Sequence, residues 1–199
     1  MILVHDERGV HLADRDGLRT YKFSNVDAGT SHVNFIAEIP KSHTVKNELF
    51  YDPDGMERIR PDMIDGTARI VLPVPYTYGF IPSTYSPPSQ KDPWLGLPGD
   101  GDCLDAFFLS SSIQEIGSKQ SGTPVAALEC DDAGEADWKI VIAGEGIDPE
   151  ATDLATGEIV KWLATYKATP VITRKVHRDD HTISQVIQYH IASKKPFAP

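Results

Sequence analysis

Cysteine is almost absent from this chain of 199 residues, where Cys103 and Cys130 are the only two. Two thiols make no disulfide framework, so the fold must rest on an apolar core, and a reduced cytoplasm is the expected setting. Long hydrophobic runs are missing too. No stretch approaches the roughly 20 apolar residues of a membrane span. The apolar start Met1-Ile-Leu-Val4 gives way at once to His5-Asp-Glu-Arg8, unlike a signal peptide. Positive charge is scarce: 19 Lys and Arg against 29 Asp and Glu leave a formal charge of −10. Nucleic acid and anionic membranes favour basic surfaces, so neither is expected as a partner. The excess of acid suits a protein that gathers divalent cations.

The apolar share of 40% with 24% charged residues is that of a globular chain rather than a disordered one. We read 1–199 as a single domain, with an N-terminal extension over 1–31, a core over 32–175 and a C-terminal helix and tail over 176–199. The extension carries one hairpin, with a turn signal at Asp14-Arg-Asp-Gly17. Period-two alternation then begins. Val33, Phe35, Ala37 and Ile39 share one face, and Pro40 ends that strand. Further strands are predicted near 45–51, 67–74, 104–110, 124–130 and 138–143. Residues 82–101 form a long loop holding five prolines. Helices come late. One starts at Thr152 or Asp153 and runs through Tyr166, with Ile159, Val160 and Leu163 inward; the other covers about 182–194, with Ile183, Val186, Ile187, His190 and Ile191 inward. Strands first and helices last predict an α+β, mainly β fold: a small antiparallel or mixed barrel with helices packed outside.

The densest acidic run is Asp100-Gly-Asp-Cys-Leu-Asp105. Residues two apart on an extended backbone point the same way, and Gly101 permits a bend that brings Asp105 round. Such oxygen donors repel one another unless a hard cation sits among them. A polar turn before a buried strand is the plain alternative, and the spacing is not that of an EF-hand. A second run, Asp131-Asp-Ala-Gly-Glu-Ala-Asp-Trp-Lys139, puts Asp137 and Lys139 on one face at the start of an apolar strand. Asp131 and Glu135 read as a solvated hairpin loop. Lys46 and Glu48 repeat the same i, i+2 placement, with Glu38 on the preceding strand. Three strands thus each gather charge on one face, as a pocket with acids for metal and lysines for an oxyanion would.

Asp100-Gly-Asp-Cys-Leu-Asp105 resembles the Asp-x-Asp-Pro-x-Asp signature of family I soluble inorganic pyrophosphatases. Asp132-Ala-Gly-Glu-Ala-Asp-Trp-Lys139 is similar to that family's second acidic segment. Glu38 in Ala-Glu-Ile-Pro, Lys46, Glu48, Tyr78 in Tyr-Thr-Tyr-Gly-Phe-Ile-Pro, and Tyr166-Lys167 match in order, over roughly 33–175. The resemblance implies a closed OB-like five-stranded barrel with flanking C-terminal helices. It implies a Mg²⁺-dependent enzyme, a homo-oligomer with several ions per site, that cleaves pyrophosphate into two phosphates through a hydroxide bridging two ions. Asp100, Asp105 and Asp137 would hold the first ion, Asp105 also reaching a second, and Asp132 with Asp137 would bind the ion that arrives with substrate. Asp102 would be the general base and Tyr78 would support the attacking water. Lys46, Lys139, Tyr166 and Lys167 would hold the phosphoryl groups. Glu38 and Glu48 would place metals through water or orient lysines.

Three departures accompany the match. Cys103 replaces the signature proline, Val74 replaces a commonly aromatic residue, and Ile64-Asp65-Gly66 lacks the arginine expected to follow a Val-Asp-like pair. Arg58, Arg60 or Arg69 could reach the same place. A binding protein that keeps the metal site but has lost turnover is the alternative function. An OB-type nucleic-acid binder would need basic grooves and exposed aromatics. Outside the matched motifs, His177 and His181 are not read as a metal site, and Asp179-Asp180 reads as a helix cap. Cys103 and Cys130 are expected in packed strands, and Trp94 is expected to staple the loop.

Overall fold

The computed structural model describes residues 1–17, 19–29, 32–53 and 55–193. The end of the expected tail, 194–199, lies outside them. The regular structure of the described chain is mostly strand, with two α-helices. In order it forms β1 (Ile2–Asp6), β2 (Gly9–Ala13), β3 (Thr20–Tyr21), β4 (Val33–Ile39), β5 (Asn47–Tyr51) and β6 (Glu57–Pro61). Then come β7 (Met63–Ile64), β8 (Thr67–Ala68), β9 (Thr77–Phe80), β10 (Asp105–Leu109), β11 (Lys119–Asp132), β12 (Glu135–Ala136) and β13 (Lys139–Ala143). Helix α1 (Pro149–Leu163), strand β14 (Ile172–His177) and helix α2 (Asp180–Ala192) follow.

One sheet runs β1–β2–β6–β5, with β3 beside β2. The larger runs β12–β11–β13–β10–β9–β4, with β14 beside β11 and a further pairing of β11 with β4. The pairings β4–β9–β10–β13–β11 therefore return to β4. Strand β11 can serve both neighbours because it is 14 residues long and shifts register between Pro124 and Ala126. The pair β10–β13 is parallel, with Asp105 opposite Lys139. The sheet is mixed.

Alternation along β10 and β13 feeds two cores. Ala106, Phe108, Ile140 and Ile142 pack with Ile183, Val186 and Ile187 of α2. Phe107, Leu109 and Val141 pack with Ile159 and Leu163 of α1. A third cluster, with Val10, Phe23, Ile36, Ile59 and Phe80, binds the N-terminal strands to the larger sheet.

Several boundaries differ from expectation. The segment 67–74 is strand only over Thr67–Ala68. Helix α1 begins earlier, at Pro149, because Asp148 caps it through Glu150 N–H at 2.7 Å and proline at the first turn has no N–H to satisfy. It ends at Leu163, so Tyr166 lies beyond it. The cap of α2 is Asp179, accepting from Thr182 N–H at 2.8 Å, as read from the sequence. Cys130 is buried in β11, but Cys103 sits before β10, half-buried, not in a strand. No described helix is long and apolar enough to cross a membrane.

Candidate active site

A cleft of about 420 Å³ opens between β5 and the ends of β4, β9, β10 and β13. Eleven of the twelve residues singled out from the sequence line it: Glu38, Lys46, Glu48, Tyr78, Asp100, Asp102, Asp105, Asp132, Asp137, Lys139 and Tyr166. The twelfth, Lys167, pairs with Asp132 at its edge.

Each side chain arrives by a local cause. Glu38 sits where β4 shifts register against β9 between Ala37 and Ile39, and it is buried on the cleft side. Lys46 and Glu48 form an ion pair at the start of β5. Gly101 has φ +88°, a left-handed value that suits glycine. It turns the chain so that Asp102 N–H donates to Asp100 Oδ1 at 3.0 Å. The acidic run is thus bent at Gly101, as the glycine allows, and forms a turn ahead of β10. Ala133 (φ +54°) and Gly134 (φ +94°) make the turn between Asp132 and Asp137.

Lys139 ties the centre together. Its ammonium donates to Asp105 Oδ2 at 2.7 Å and to Asp137 Oδ1 at 2.9 Å, and lies 3.4 Å from Tyr78 Oη. The Tyr78 hydroxyl donates to Asp105. Burial pushes Lys139 toward neutrality, but Asp105 and Asp137 outweigh it and hold its pKa well above the ordinary lysine value. Burial, then the Asp137 and Asp105 charges, pushes the Asp100 carboxyl up to about 8. Burial lifts Asp137 to about 6 against the opposing pull of Lys139. Glu38 is raised well above its usual value by burial and then by Asp105, Glu48 and Asp102. Tyr166 stacks on Trp162 with ring centroids 4.2 Å apart, and burial pushes its phenol up to about 12.

The surplus of carboxylates is a physical demand for cations, and the donors are all hard oxygens of the kind Mg²⁺ takes. Among the described residues no three acids converge closely enough to hold an ion as they stand, because Lys139 lies between Asp105 and Asp137. The donor chemistry fits the ion.

The arginines divide clearly. Arg58 is fully buried and pairs with Asp52. Arg60 lies over the Phe50 ring at 4.3 Å, with Asp52 3.6 Å away. Arg69 bonds Asp62 at 3.2 Å, and its carbonyl accepts from Lys46 N–H at 2.9 Å, so it runs beside a cleft residue. Sequence reasoning passed over Tyr51 and Glu135, which also line the cleft. Tyr51 falls out of phase with Lys46 and Glu48, and Glu135 sits in a stretch whose sequence reads as a solvated hairpin loop. Asp131 is turned away to Arg174 at 2.6 Å. His177 belongs to β14 and meets Glu129 at 2.9 Å, while His181 lies in α2, so the two share no helix face.

The model of the inorganic pyrophosphatase family matches residues 35–193. The chain belongs to that family. It is 34% identical over 125 residues to soluble inorganic pyrophosphatase 1, chloroplastic, of Chlamydomonas reinhardtii, covering 62% of this chain and 44% of that protein. It therefore spans less than half the length of that relative. Among solved structures, the type I inorganic pyrophosphatase of Toxoplasma gondii superposes with a TM-score of 0.77 at 22% identity, over 96% of both chains. The N-terminally truncated vacuolar soluble pyrophosphatase of Trypanosoma cruzi, in complex with PPi, gives 0.71 at 22%, over 93% of this chain and 76% of that one. At these identities the structural likeness speaks for the fold.

Proposed function

We propose that this member of the family is an inorganic pyrophosphatase that hydrolyses pyrophosphate to two phosphates with Mg²⁺. The observation that carries the reading is the gathering of eleven matched residues in one cleft of about 420 Å³. The PPi bound in the T. cruzi relative is consistent with it. We read the returning ring of five paired strands as the small closed OB-like barrel whose rim carries the site.

In this reading Asp100, Asp105 and Asp137 would hold one ion, and Asp105 would also help hold a second. Asp132 with Asp137 would take the ion that accompanies substrate, with Glu48 assisting. When bound, the ions supply positive charge that acidifies a water and neutralises the phosphoryl oxygens. Asp102 is the most exposed acid of its turn and accepts the water proton. The water oxygen forms a bond to one phosphorus as the bridging P–O bond breaks, and the departing phosphate keeps that electron pair. Lys46, Lys139, Tyr166 and Lys167 hold the phosphoryl oxygens, whose charge grows as the bond breaks. Tyr78 supports the water side through Asp105. Glu38, whose pKa is raised by burial and then by Asp105, Glu48 and Asp102, lies in the cleft with Lys46 and Glu48, where it would orient the lysine or place an ion through water. None of the three arginines lines the cleft. Arg69 is the one proposed for phosphate because its backbone pairs with Lys46 and its ion pair with Asp62 is partly exposed, whereas Arg58 is buried on Asp52 and Arg60 lies over Phe50.

A homo-oligomer is consistent with the exposed Ile64, Ile70 and Leu72. A cytoplasmic setting rests on the cysteine usage. The test of function is phosphate release from magnesium pyrophosphate, compared with the Asp102→Asn variant.

A further inference from the structure

Asp92 lies outside the cleft, in the proline-rich loop, yet it is 4% exposed, and one of its carboxylate oxygens reaches out of the loop to the strand that carries the site. Its Oδ1 accepts from the backbone N–H of Trp94 at 2.9 Å and of Leu95 at 2.7 Å. Its Oδ2 accepts from the indole N–H of Trp138 at 3.0 Å. Trp138 is the residue between Asp137 and Lys139. Its indole packs in the core while its two neighbours line the cleft.

The same loop is stitched to both acidic segments. Ala136 N–H donates to Pro98 O at 2.7 Å, just before Asp137. Ser86 N–H donates to Asp102 O at 2.8 Å, and Gly101 N–H donates to Ser86 O at 2.8 Å. Trp94 packs edge-on against Trp138, with centroids 5.7 Å apart. The loop is therefore a clamp between the Asp100–Asp105 turn and the start of β13, and Asp92 is where it grips an indole.

We infer that Asp92 is a positioning residue for the metal and phosphate groups of the cleft, acting through the Trp138 indole. Fixing that ring fixes the strand on both sides of it, and so the distance from Lys139 to Asp105 and Asp137. The inference rests on the pyrophosphatase reading for its substrate, but not for its Mg²⁺ arm. An outer partner of this kind typically changes metal affinity or activity by about tenfold or more when lost.

The variants are Asp92→Asn, Trp138→Phe and their combination. Asparagine keeps an acceptor for the Trp94 and Leu95 N–H groups but presents an NH₂ to the indole N–H. Phenylalanine keeps a ring and removes the donor. Measured on the full chain, Asp92→Asn should shift one of the three tryptophan indole N–H signals in ¹H–¹⁵N NMR. It should weaken Mg²⁺ binding in calorimetry by about tenfold and lower kcat/KM for pyrophosphate by a similar factor, part of which excess Mg²⁺ restores. Trp138→Phe should act in the same direction, and the double variant should be no worse than the poorer single one. A shifted indole signal with Mg²⁺ affinity and kcat/KM within about twofold of the unaltered chain would overturn the inference, as would losses that multiply in the double variant. If the unaltered chain cleaved no pyrophosphate, the functional reading would fall, while the Mg²⁺ affinities would still decide the role of Asp92.

Discussion

Lys139 and Asp105 are direct partners in the parallel pairing of β10 with β13, and the ammonium lies 2.7 Å from the carboxylate. A second acid, Asp137, holds the same ammonium at 2.9 Å. Removing one member of a buried ion pair leaves an uncompensated charge, which typically costs about 3–5 kcal/mol. Lys139→Met should therefore lower the metal-free unfolding free energy by that order in urea titrations. Millimolar Mg²⁺ should recover more stability in the variant than in the unaltered chain.

Asp100 and Asp137 make stability depend on pH. Their folded pKa values, about 8 and about 6, lie above the ordinary aspartate value, with burial as the first cause. A carboxyl raised on folding contributes stability in full below its unfolded pKa, near 4, and loses it as pH rises through the folded value. Metal-free protein should thus become less stable between pH 4 and 8 on account of these groups. Mg²⁺ binds the ionised forms, so the rise in Tm that it produces should grow over the same interval and be accompanied by proton release in calorimetry.

Tyr78→Phe removes a hydroxyl that donates to Asp105 while Lys139 keeps its grip. Folding should be nearly unchanged and kcat/KM reduced by about tenfold, the order expected for one hydrogen bond to a charged group. The phenol is raised well above its usual pKa by burial and then by Asp105. Ultraviolet titration should therefore show Tyr78 ionising well above the ordinary tyrosine value.

The arginines separate by measurement. Arg69→Ala should raise KM for pyrophosphate with little change in unfolding free energy. Arg58→Ala should unfold the protein more easily, by about 3 kcal/mol or more, because Asp52 loses a buried partner. An effect on KM from Arg58 with none from Arg69 would reassign the phosphate contact.

What was legible in the sequence was whatever carried a period or a cap. Val33–Ile39 was read with its bounds because its alternation is clean and Pro40 stops it. The cleft acids were legible because spacing survives any local bend: Asp100, Asp102 and Asp105 meet in the cleft although Gly101 makes a turn of them. Strand β6 was missed because its buried residues include Glu57 and Arg58 beside Ile59, polar groups made tolerable by partners from elsewhere in the chain such as Ser24 and Asp52. Strand β14 was missed for a related reason. Ile172 is exposed and the Thr-Arg-Lys stretch is polar, so only its pairing with β11 makes it a strand. The polar Lys119–Thr123 end of β11 is strand because β4 needs a partner. Asp92 carried no signal at all, since its meaning lies in an indole 46 residues away.

The central claim is that the acids of this cleft, with Mg²⁺, turn pyrophosphate into two phosphates using Asp102 to take the water proton. The most direct measurement is phosphate release from magnesium pyrophosphate by the unaltered chain and by Asp102→Asn. Loss of a general base typically costs about a hundredfold to ten-thousandfold. The account predicts turnover in the unaltered chain and a fall of that order in the variant, with Mg²⁺ still bound. Tight binding of Mg²⁺ and phosphate with no turnover above the variant would contradict it and leave a binding protein built on the same fold.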